Sequence, residues 1–259
     1  MSYSIEGKNI VIIGGARGIG GISAKRFAAQ GANVATFDMR DDEGMALAEE
    51  ATKAGPGRVI YRHLDVVDFD QIKPCIDWAA EELGGIDALL DVAGGSLPSK
   101  AEETSEADWD WHLGANMKAT GLVCQAVFPH MKERGGTMTL IAAGGALKDR
   151  PILLASYSAS KGAVISYSRS VAAEWAPYNI RVNCVNPVMS SPGELKTLAA
   201  MGEAEQAKFQ QQIHESIPLG RMGDIETELS PVLQFLISDA AKYITSQIIA
   251  VDGGLCPLR

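Results

Sequence analysis

The chain has 259 residues, a formal net charge of −9 and a sequence pI of about 5.0. This acidic balance argues against a broad surface that binds nucleic-acid backbones. No apolar run reaches the roughly 18 residues of a membrane-spanning helix, and the N-terminal stretch lacks the apolar core of a signal peptide. We therefore expect a cytoplasmic protein whose partners include neither nucleic acid nor a membrane.

The spacing of cysteine and histidine predicts no metal site. The cysteines, at positions 75, 124, 184 and 256, form no Cys-x-x-Cys pair. Free thiols in a reducing compartment are the expected state. The histidines, at positions 63, 112, 130 and 214, have no ligand-like spacing either.

The first apolar run, Asn9 to Ile13, predicts a strand buried on both faces, as in a parallel sheet. It leads into a glycine-rich turn, Gly14 to Gly20, and then into an amphipathic stretch from Ile22 to Gln30. A strand, a glycine turn and a helix in this order place backbone N–H groups and a positive helix end on a pyrophosphate. The segment therefore predicts a dinucleotide site.

The second predicted strand, Asn33 to Phe37, ends at Asp38, 18 residues after Gly20. At about this spacing an acidic residue meets the adenosine ribose. A carboxylate accepts hydrogen bonds from both ribose hydroxyls and repels a 2′-phosphate, so Asp38 favours NAD over NADP. Arg17 and Arg40 favour NADP, since either could meet a 2′-phosphate. We give Asp38 more weight because an uncompensated carboxylate beside a phosphate is costly, although it could simply cap the next helix.

Strand and helix patterns then alternate to the end of the chain. The further predicted strands are Val59 to His63, Ile86 to Val92, Thr137 to Ala142, Ile180 to Val185 and Ile248 to Val251. This rhythm, without a break in composition, predicts an α/β protein: one doubly wound (Rossmann) domain over residues 1–259, with seven parallel strands and helices on both faces. An insertion at about 188–231 could form a substrate lid or an ordinary helix packing face; its apolar residues are Met189, Leu195, Leu198, Met201 and Phe209.

One long helical pattern, Ser105 to Met131, contains Gly114 and Gly121, with Asn116 between them. Glycine inside a helix costs about 1 kcal/mol. We therefore expect a local irregularity near Asn116, which would leave a side chain or a carbonyl free to bond elsewhere.

Tyr157 and Lys161 lie four residues apart in a helical pattern that runs to Ala176. They share one helix face, with Cβ atoms about 5–6 Å apart. A phenol has an ordinary pKa of about 10, and a fixed ammonium beside it lowers that pKa. Such a tyrosine can exchange a proton with an alcohol or a carbonyl near neutral pH. The structural alternative is a half-buried tyrosine beside a surface lysine.

Six segments occur in an order and at spacings that resemble the short-chain dehydrogenase/reductase family over the full length of the chain. They are Gly14 to Gly20, Leu64-Asp65-Val66, Ala93-Gly94, Asn116, Tyr157 with Lys161, and Asn186-Pro187. The resemblance implies a seven-stranded parallel sheet in a protein that is usually a homotetramer or a dimer.

The resemblance also implies roles for individual residues. Tyr157 would be the general acid/base, Lys161 would hold the nicotinamide ribose and tune Tyr157, and Asn116 would support a water that relays protons. The residues implied to contact the cofactor are Gly14, Arg17, Gly18, Ile19, Gly20, Asp38, Asp65, Val66, Ala93, Gly94, Tyr157, Lys161, Pro187 and Val188.

The chain departs from the family pattern at several positions. The family's serine 13 residues before the tyrosine, which bonds the substrate oxygen, is replaced by Gly144. Elsewhere Ile13 replaces a threonine, Asp91 and Val92 replace the asparagines of Asn-Asn-Ala-Gly, and Val188 replaces the glycine after Asn-Pro, with Ser190 or Ser191 as candidates for a displaced threonine.

Loss of a donor to a developing oxyanion typically costs about 2.7–4 kcal/mol, so the glycine needs an explanation. A backbone N–H at Gly144 or Gly145, or the hydroxyl of Ser156, could replace the donor. The space could instead admit a bulkier substrate that brings its own hydroxyl. The third explanation is a weakly active or inactive relative that only binds cofactor.

We expect an NAD-dependent oxidoreductase that interconverts a secondary alcohol and a ketone. Gly144, Leu154 and Met189 are the predicted substrate contacts, and apolar residues near the tyrosine suggest an alicyclic, aromatic or steroid-like substrate. A cofactor-binding relative with a sensing or scaffold role, and a 3-oxoacyl carrier-protein reductase, are the alternatives. Enoyl reductases of this superfamily place more residues between the tyrosine and the lysine.

Overall fold

The computed structural model describes residues 3–144, 152–190, 200 and 202–256, without the side chains of residues 203 and 204. Nine strands are described: β1 (Asn9–Ile13), β2 (Asn33–Asp38), β3 (Arg58–His63), β4 (Ala88–Asp91), β5 (Gly136–Ile141), β6 (Ile180–Pro187), β7 (Met189–Ser190), β8 (Gly223–Asp224) and β9 (Ile248–Val251). Seven of them form one parallel sheet in the order β3-β2-β1-β4-β5-β6-β9, while β7 and β8 pair separately.

Helices cover both faces of this sheet. Those described are α1 (Gly18–Ala29), α2 (Asp41–Ala54), α3 (Phe69–Leu83), α4 (Glu106–Leu113), α5 (Ala119–Met131), α6 (Ala155–Trp175), α7 (Glu203–Ser216) and α8 (Ser230–Ile237). One core cluster joins the sheet to α3, α5 and α6, and a second joins it to α1, α2 and α8. The predicted seven-stranded doubly wound fold is therefore confirmed. Its physical basis is that a parallel sheet must bury both of its faces under apolar helices.

The strand order reverses between β1 and β4, and ligands of such sheets bind in the crevice at this point. Gly14 follows β1 with a φ of +81°, and a Cβ on it would lie 3.0 Å from the backbone nitrogen of Ala93, which follows β4. Gly20 has no room for a Cβ either, because that atom would lie 2.1 Å from the carbonyl oxygen of Gly14. Glycine is thus required where the two chain segments meet.

The long helical pattern before β5 is interrupted near Gly114, as the glycines in its sequence predicted. Helix α4 ends at Leu113, one π-helical turn spans Gly114–Lys118, and α5 continues from Ala119. The wider turn places Asn116 in the interior with no exposed surface. The expected irregularity is therefore present, and it turns a polar side chain towards the core.

The segment between β6 and β9 contains β7, β8, α7 and α8. Leu195, Leu198 and Met201 lie outside the described residues. Phe209 is exposed on α7, so in this single chain it does not contribute to the core. None of the described helices is long and apolar enough to cross a membrane.

Candidate active site

The turn after β1 presents an open helix end. Gly18, the first residue of α1, has a φ of +55°, and a Cβ built on it meets no atom within 4 Å. The first turn of α1 holds no acidic side chain, and Arg17 at its N-cap makes no side-chain cap. The amides of Gly18, Ile19 and Gly20 therefore belong to a helix end that favours an anion. These residues fit the pyrophosphate of a dinucleotide.

Asp38 lies beside this turn. Its Oδ2 accepts a hydrogen bond from the backbone N–H of Ala16 at 3.1 Å, and its Oδ1 accepts one from the backbone N–H of Arg40 at 3.2 Å. An acidic cavity of about 330 Å³ follows, lined by Met39, Arg40, Asp41, Asp42 and Glu43. The guanidinium of Arg40 lies 3.6 Å from the carboxylate of Glu43, so the positive charge of Arg40 is partly neutralised.

The segment after β3 lies next to Asp38, because the N–H of Leu64 donates to the Asp38 carbonyl at 3.0 Å. Asp65 then accepts a hydrogen bond from the N–H of Val67 at 3.1 Å. Val66 and Ala93 are partly buried against the same core cluster. The structure thus brings the predicted adenosine contacts to the carboxyl ends of neighbouring strands.

Asn116 ties the loop after β4 to α6. Its Oδ1 accepts from the N–H of Gly95 at 2.9 Å, and its Nδ2 donates to the Gly95 carbonyl and to Ser160 Oγ, both at 3.0 Å. Gly94 has a φ of +116°, and a Cβ on it would lie 2.0 Å from Asn116 Oδ1. The side chain of Asn116 therefore fixes both the loop and the helix that carries Tyr157.

Lys161 is buried at 5% exposure, and its Nζ donates to the carbonyl of Ile141 at 2.8 Å. Burial lowers the pKa of Lys161, and the carboxylate of Asp91 raises it. Burial raises the pKa of Tyr157. The expected lowering of the Tyr157 pKa by a cationic Lys161 stays a prediction.

No hydroxyl occupies the expected serine position, since Ala142, Ala143 and Gly144 follow β5. A Cβ on Gly144 would lie 3.5 Å from Cys256 Sγ and 3.8 Å from a methyl of Val188, both ordinary contacts. The thiol of Cys256 donates to the Gly144 carbonyl at 3.4 Å. Gly144 therefore lies beside the segment after β6 that contains Pro187 and Val188.

The two other predicted substrate contacts lie in different surroundings. Leu154 precedes α6 and bridges to Ser99 in the loop after β4. Met189 is buried instead in the core cluster with α1 and α8, and a Cβ on Gly223 would lie 2.7 Å from its Cε. Met189 also lines a cavity of about 520 Å³ with Pro218 and Leu219, so its contact with a substrate stays a prediction. Gly145 and Ser191 lie outside the described residues.

Comparisons with known proteins agree with this geometry. The family described as "Enoyl-(Acyl carrier protein) reductase" matches residues 14–256. The 3-oxoacyl-(acyl-carrier-protein) reductase of Thermotoga maritima is 36% identical over 252 residues, covering 97% of this chain and 98% of the relative. The trans-4-hydroxycyclohexanecarboxylate dehydrogenase of Sinomonas cyclohexanicum is 35% identical over 263 residues, covering 98% and 95%.

The chain belongs to the short-chain dehydrogenase/reductase family. The crystal structure of L-sorbose reductase from Gluconobacter frateurii, complexed with NADPH and L-sorbose, matches it with a TM-score of 0.93 at 27% identity and covers 100% of both chains. The protein is thus an oxidoreductase of a family that binds nicotinamide cofactors and acts on alcohols and ketones.

Sequence reasoning missed one residue of this short-chain dehydrogenase/reductase site, His112. It is the one fully buried side chain of α4, and its ring centroid lies 6.1 Å from that of Tyr157. Its Nε2 accepts from the N–H of Leu97 at 3.0 Å, so the ring proton is on Nδ1, which lies 2.8 Å from the Asp108 carbonyl and 3.0 Å from Ser156 Oγ. No sequence spacing links positions 97, 112 and 156.

The contact between Ser156 and His112 also concerns the position of Gly144, where the family has a serine. The Ser156 hydroxyl is buried and engaged with the imidazole. Because Nδ1 carries the ring proton, the Ser156 oxygen accepts from the imidazole, which ties α6 to α4, and the hydroxyl keeps its own proton as a donor. The Ser156 hydroxyl, backbone N–H groups and the extra space at Gly144 therefore all stay open as explanations within an active enzyme.

Ser156→Ala should lower the free energy of unfolding by about 1 kcal/mol, because it removes a buried hydrogen bond. Ser158 of the same helix is the matched control: its buried Oγ has no hydrogen-bond partner among the described residues, so Ser158→Ala should be neutral. Urea unfolding measures both. In a His112→Ala background the Ser156→Ala penalty should vanish, and a penalty that persists there would show that Ser156 does not act through His112.

Proposed function

We propose that the chain catalyses the NAD-dependent interconversion of a secondary alcohol and a ketone. One observation carries the proposal: Tyr157 and Lys161 lie one turn apart on α6, and the buried Asn116 bonds that same turn of the helix. Asn116 bonds Ser160, the Ser160 hydroxyl donates to the Tyr157 carbonyl at 2.7 Å, and Lys161 lies one residue later on α6. A protein that only bound cofactor would not need these groups together.

In the proposed reaction the nicotinamide, when bound, accepts or supplies the hydride at the carbinol carbon. Tyr157 takes the hydroxyl proton in the oxidising direction and returns it to the carbonyl oxygen in the reducing direction. A cationic Lys161 favours the phenolate and offsets the cost that burial imposes on it. The Gly14–Gly20 turn and Asp38 hold the cofactor, with Asp65, Val66, Ala93, Gly94, Pro187 and Val188 as further contacts.

Three observations support NAD over NADP. The Asp38 carboxylate lies against the glycine turn, and the adjoining cavity adds three acidic side chains. Hydrogen bonds from Tyr61 and His63 lower the pKa of Asp41, so this group stays anionic. A 2′-phosphate would be repelled by these negative charges. Of the two arginines that could bind it, Arg40 is already paired with Glu43, which leaves Arg17. The NADPH in L-sorbose reductase supports the opposite preference.

An apolar substrate of alicyclic, aromatic or steroid-like character suits the exposed apolar side chains before α6, the helix that carries Tyr157. Leu97, Ile152 and Leu153 are exposed around the contact between the loop after β4 and the start of α6. The relative from Sinomonas cyclohexanicum acts, by its name, on a ring alcohol. The relative from Thermotoga maritima favours 3-oxoacyl carrier-protein reduction as a second candidate.

Further features remain proposals. We propose one domain with an insertion at about 188–231, a cytoplasmic location and a homotetrameric or dimeric assembly. The assembly is supported by three exposed apolar side chains on α4, namely Trp109, Trp111 and Leu113. Enoyl reduction is less favoured, because only three residues separate Tyr157 from Lys161.

Tyr157→Phe should reduce kcat/KM for secondary-alcohol oxidation by at least about 10²-fold, because the proton acceptor is lost. The assay follows the absorbance of the reduced cofactor during oxidation of a panel of alicyclic, aromatic and steroid alcohols. The reduction of a 3-oxoacyl thioester is measured in the same way. NADH affinity, measured by fluorescence, should change little. Parental turnover by the Phe protein would exclude the assignment, and NADH binding without turnover in the parent would favour the sensing alternative.

Asp38→Asn should narrow the ratio of kcat/KM for NAD⁺ to that for NADP⁺ by at least about tenfold, because it removes the charge that repels a 2′-phosphate. Asp42→Asn is the control for a general loss of negative charge in the same cavity. An equal effect of both variants would mean that no specific carboxylate selects the cofactor. A parent that prefers NADP⁺ would refute the proposal.

Gly144→Ser should fold normally, because its Cβ meets only ordinary contacts at 3.5 and 3.8 Å. With small alcohols we expect a gain in kcat/KM of up to about 10²-fold from the restored donor. With the best bulky alcohol we expect a rise in KM, because the hydroxymethyl group fills the space. A gain on every alcohol would show that the glycine only weakens the enzyme.

A further inference from the structure

Asp91 is a buried acid that the proposed reaction does not use. It ends β4, at 4% exposure, where the family pattern has asparagine. Its Oδ1 accepts from the N–H of Ala93 at 3.3 Å, and its Oδ2 is fully buried beside the Thr120 hydroxyl. A carboxyl group buried in this way is either protonated or held as an anion by a compensating charge.

The register of the sheet places Lys161 close to this carboxylate. Asp91 pairs with Leu140 of β5, and Leu140 pairs with Cys184 of β6, so the three form one row across the sheet. Lys161 reaches down from α6 and bonds the carbonyl of Ile141, the residue after Leu140. The ammonium is therefore positioned above the strand that separates Asp91 from Cys184.

The groups that face Asp91 leave Lys161 as its cationic partner among the described residues. From α5, the Thr120 hydroxyl lowers the Asp91 pKa but donates its proton to the Asn116 carbonyl at 3.1 Å. Cys124, also on α5, is a buried thiol whose pKa is raised by burial and by Asp91. Burial raises the pKa of Asp91 above its ordinary value, and Thr120, Lys161 and the N–H of Ala93 lower it by smaller amounts.

We propose that Asp91 is the counter-charge that keeps Lys161 an ammonium and so sets the pH range in which Tyr157 can work. The role rests on the proposed function, because it acts through the lysine and the tyrosine. Asp91 is thus a positioning residue with an electrostatic purpose, and asparagine at its place would keep the hydrogen bond to Ala93 while removing the charge.

The direct test follows the charge of Lys161 by NMR, in protein labelled with ¹³Cε-lysine and without cofactor. A Lys161→Met spectrum identifies the resonance. In Asp91→Asn the titration midpoint of Lys161 should fall by about one pH unit or more. Asp87→Asn, a half-buried acid at the opposite end of the same strand that also accepts a backbone N–H, should leave it unchanged. An unchanged midpoint in Asp91→Asn overturns the proposal.

A second measurement guards against a variant that does not fold. In the parent protein, ¹³Cγ-aspartate spectra report whether Asp91 is ionised near neutral pH, and a neutral carboxylic acid there overturns the proposal. Neither NMR experiment requires a substrate. A protein without alcohol activity would thus refute the proposed function while leaving the pairing of Asp91 with Lys161 measurable.

The pH profile of kcat/KM for alcohol oxidation distinguishes an electrostatic role of Asp91 from a purely structural one, because only the electrostatic role shifts the profile. When Lys161 loses its proton early, the Tyr157 phenol ionises at higher pH, so the rise of kcat/KM with pH should move upward by about one unit in Asp91→Asn. A downward shift would mean that the carboxylate acts on Tyr157 directly while Lys161 stays charged, and this also overturns the proposal.

Discussion

The buried amino group of Lys161 is the constraint on which the site depends. In the described structure its recorded hydrogen bond goes to the Ile141 carbonyl at the end of β5, and a buried charge needs both such bonds and a compensating charge. Helix α6 must therefore pack against the carboxyl end of β5 within the reach of one lysine side chain. That packing also fixes Tyr157, one turn earlier on the same face of α6.

The π-helical turn around Asn116 connects α6 to the loop after β4, next to the predicted cofactor turn. Through Asn116 the loop after β4 is bonded at Gly95, and α6 is bonded at Ser160. The same loop contacts the glycine turn after β1, where Gly14 approaches Ala93. The glycine turn and the helix that carries Tyr157, the proposed acid/base, are thus connected by direct contacts through the short loop after β4. A glycine at position 94 of this loop leaves no room for a Cβ.

The fold was predictable because its signals are local. Apolar runs such as Asn9 to Ile13 mark buried strands, glycines mark the turn after β1, and the glycines around Asn116 announced the irregular turn. Contacts between distant positions were not predictable. His112 carried no motif, yet the fold brings it to Leu97 and Ser156. Met189 packs in the second core cluster and also lines a cavity, a double position that its apolar character alone did not predict.

In the proposed reaction, the two departures at Asp91 and Gly144 bear on the same reacting oxygen of the substrate. Removing a hydroxyl at Gly144 takes away a donor that would stabilise negative charge on the substrate. More of that task then falls on the proton of Tyr157, whose phenol is already disfavoured as an anion by burial. A permanently charged Lys161 becomes more important in this chain than in one that retains the serine. A carboxylate at Asp91, one strand away from the carbonyl that Lys161 bonds, supplies the charge that such a lysine needs.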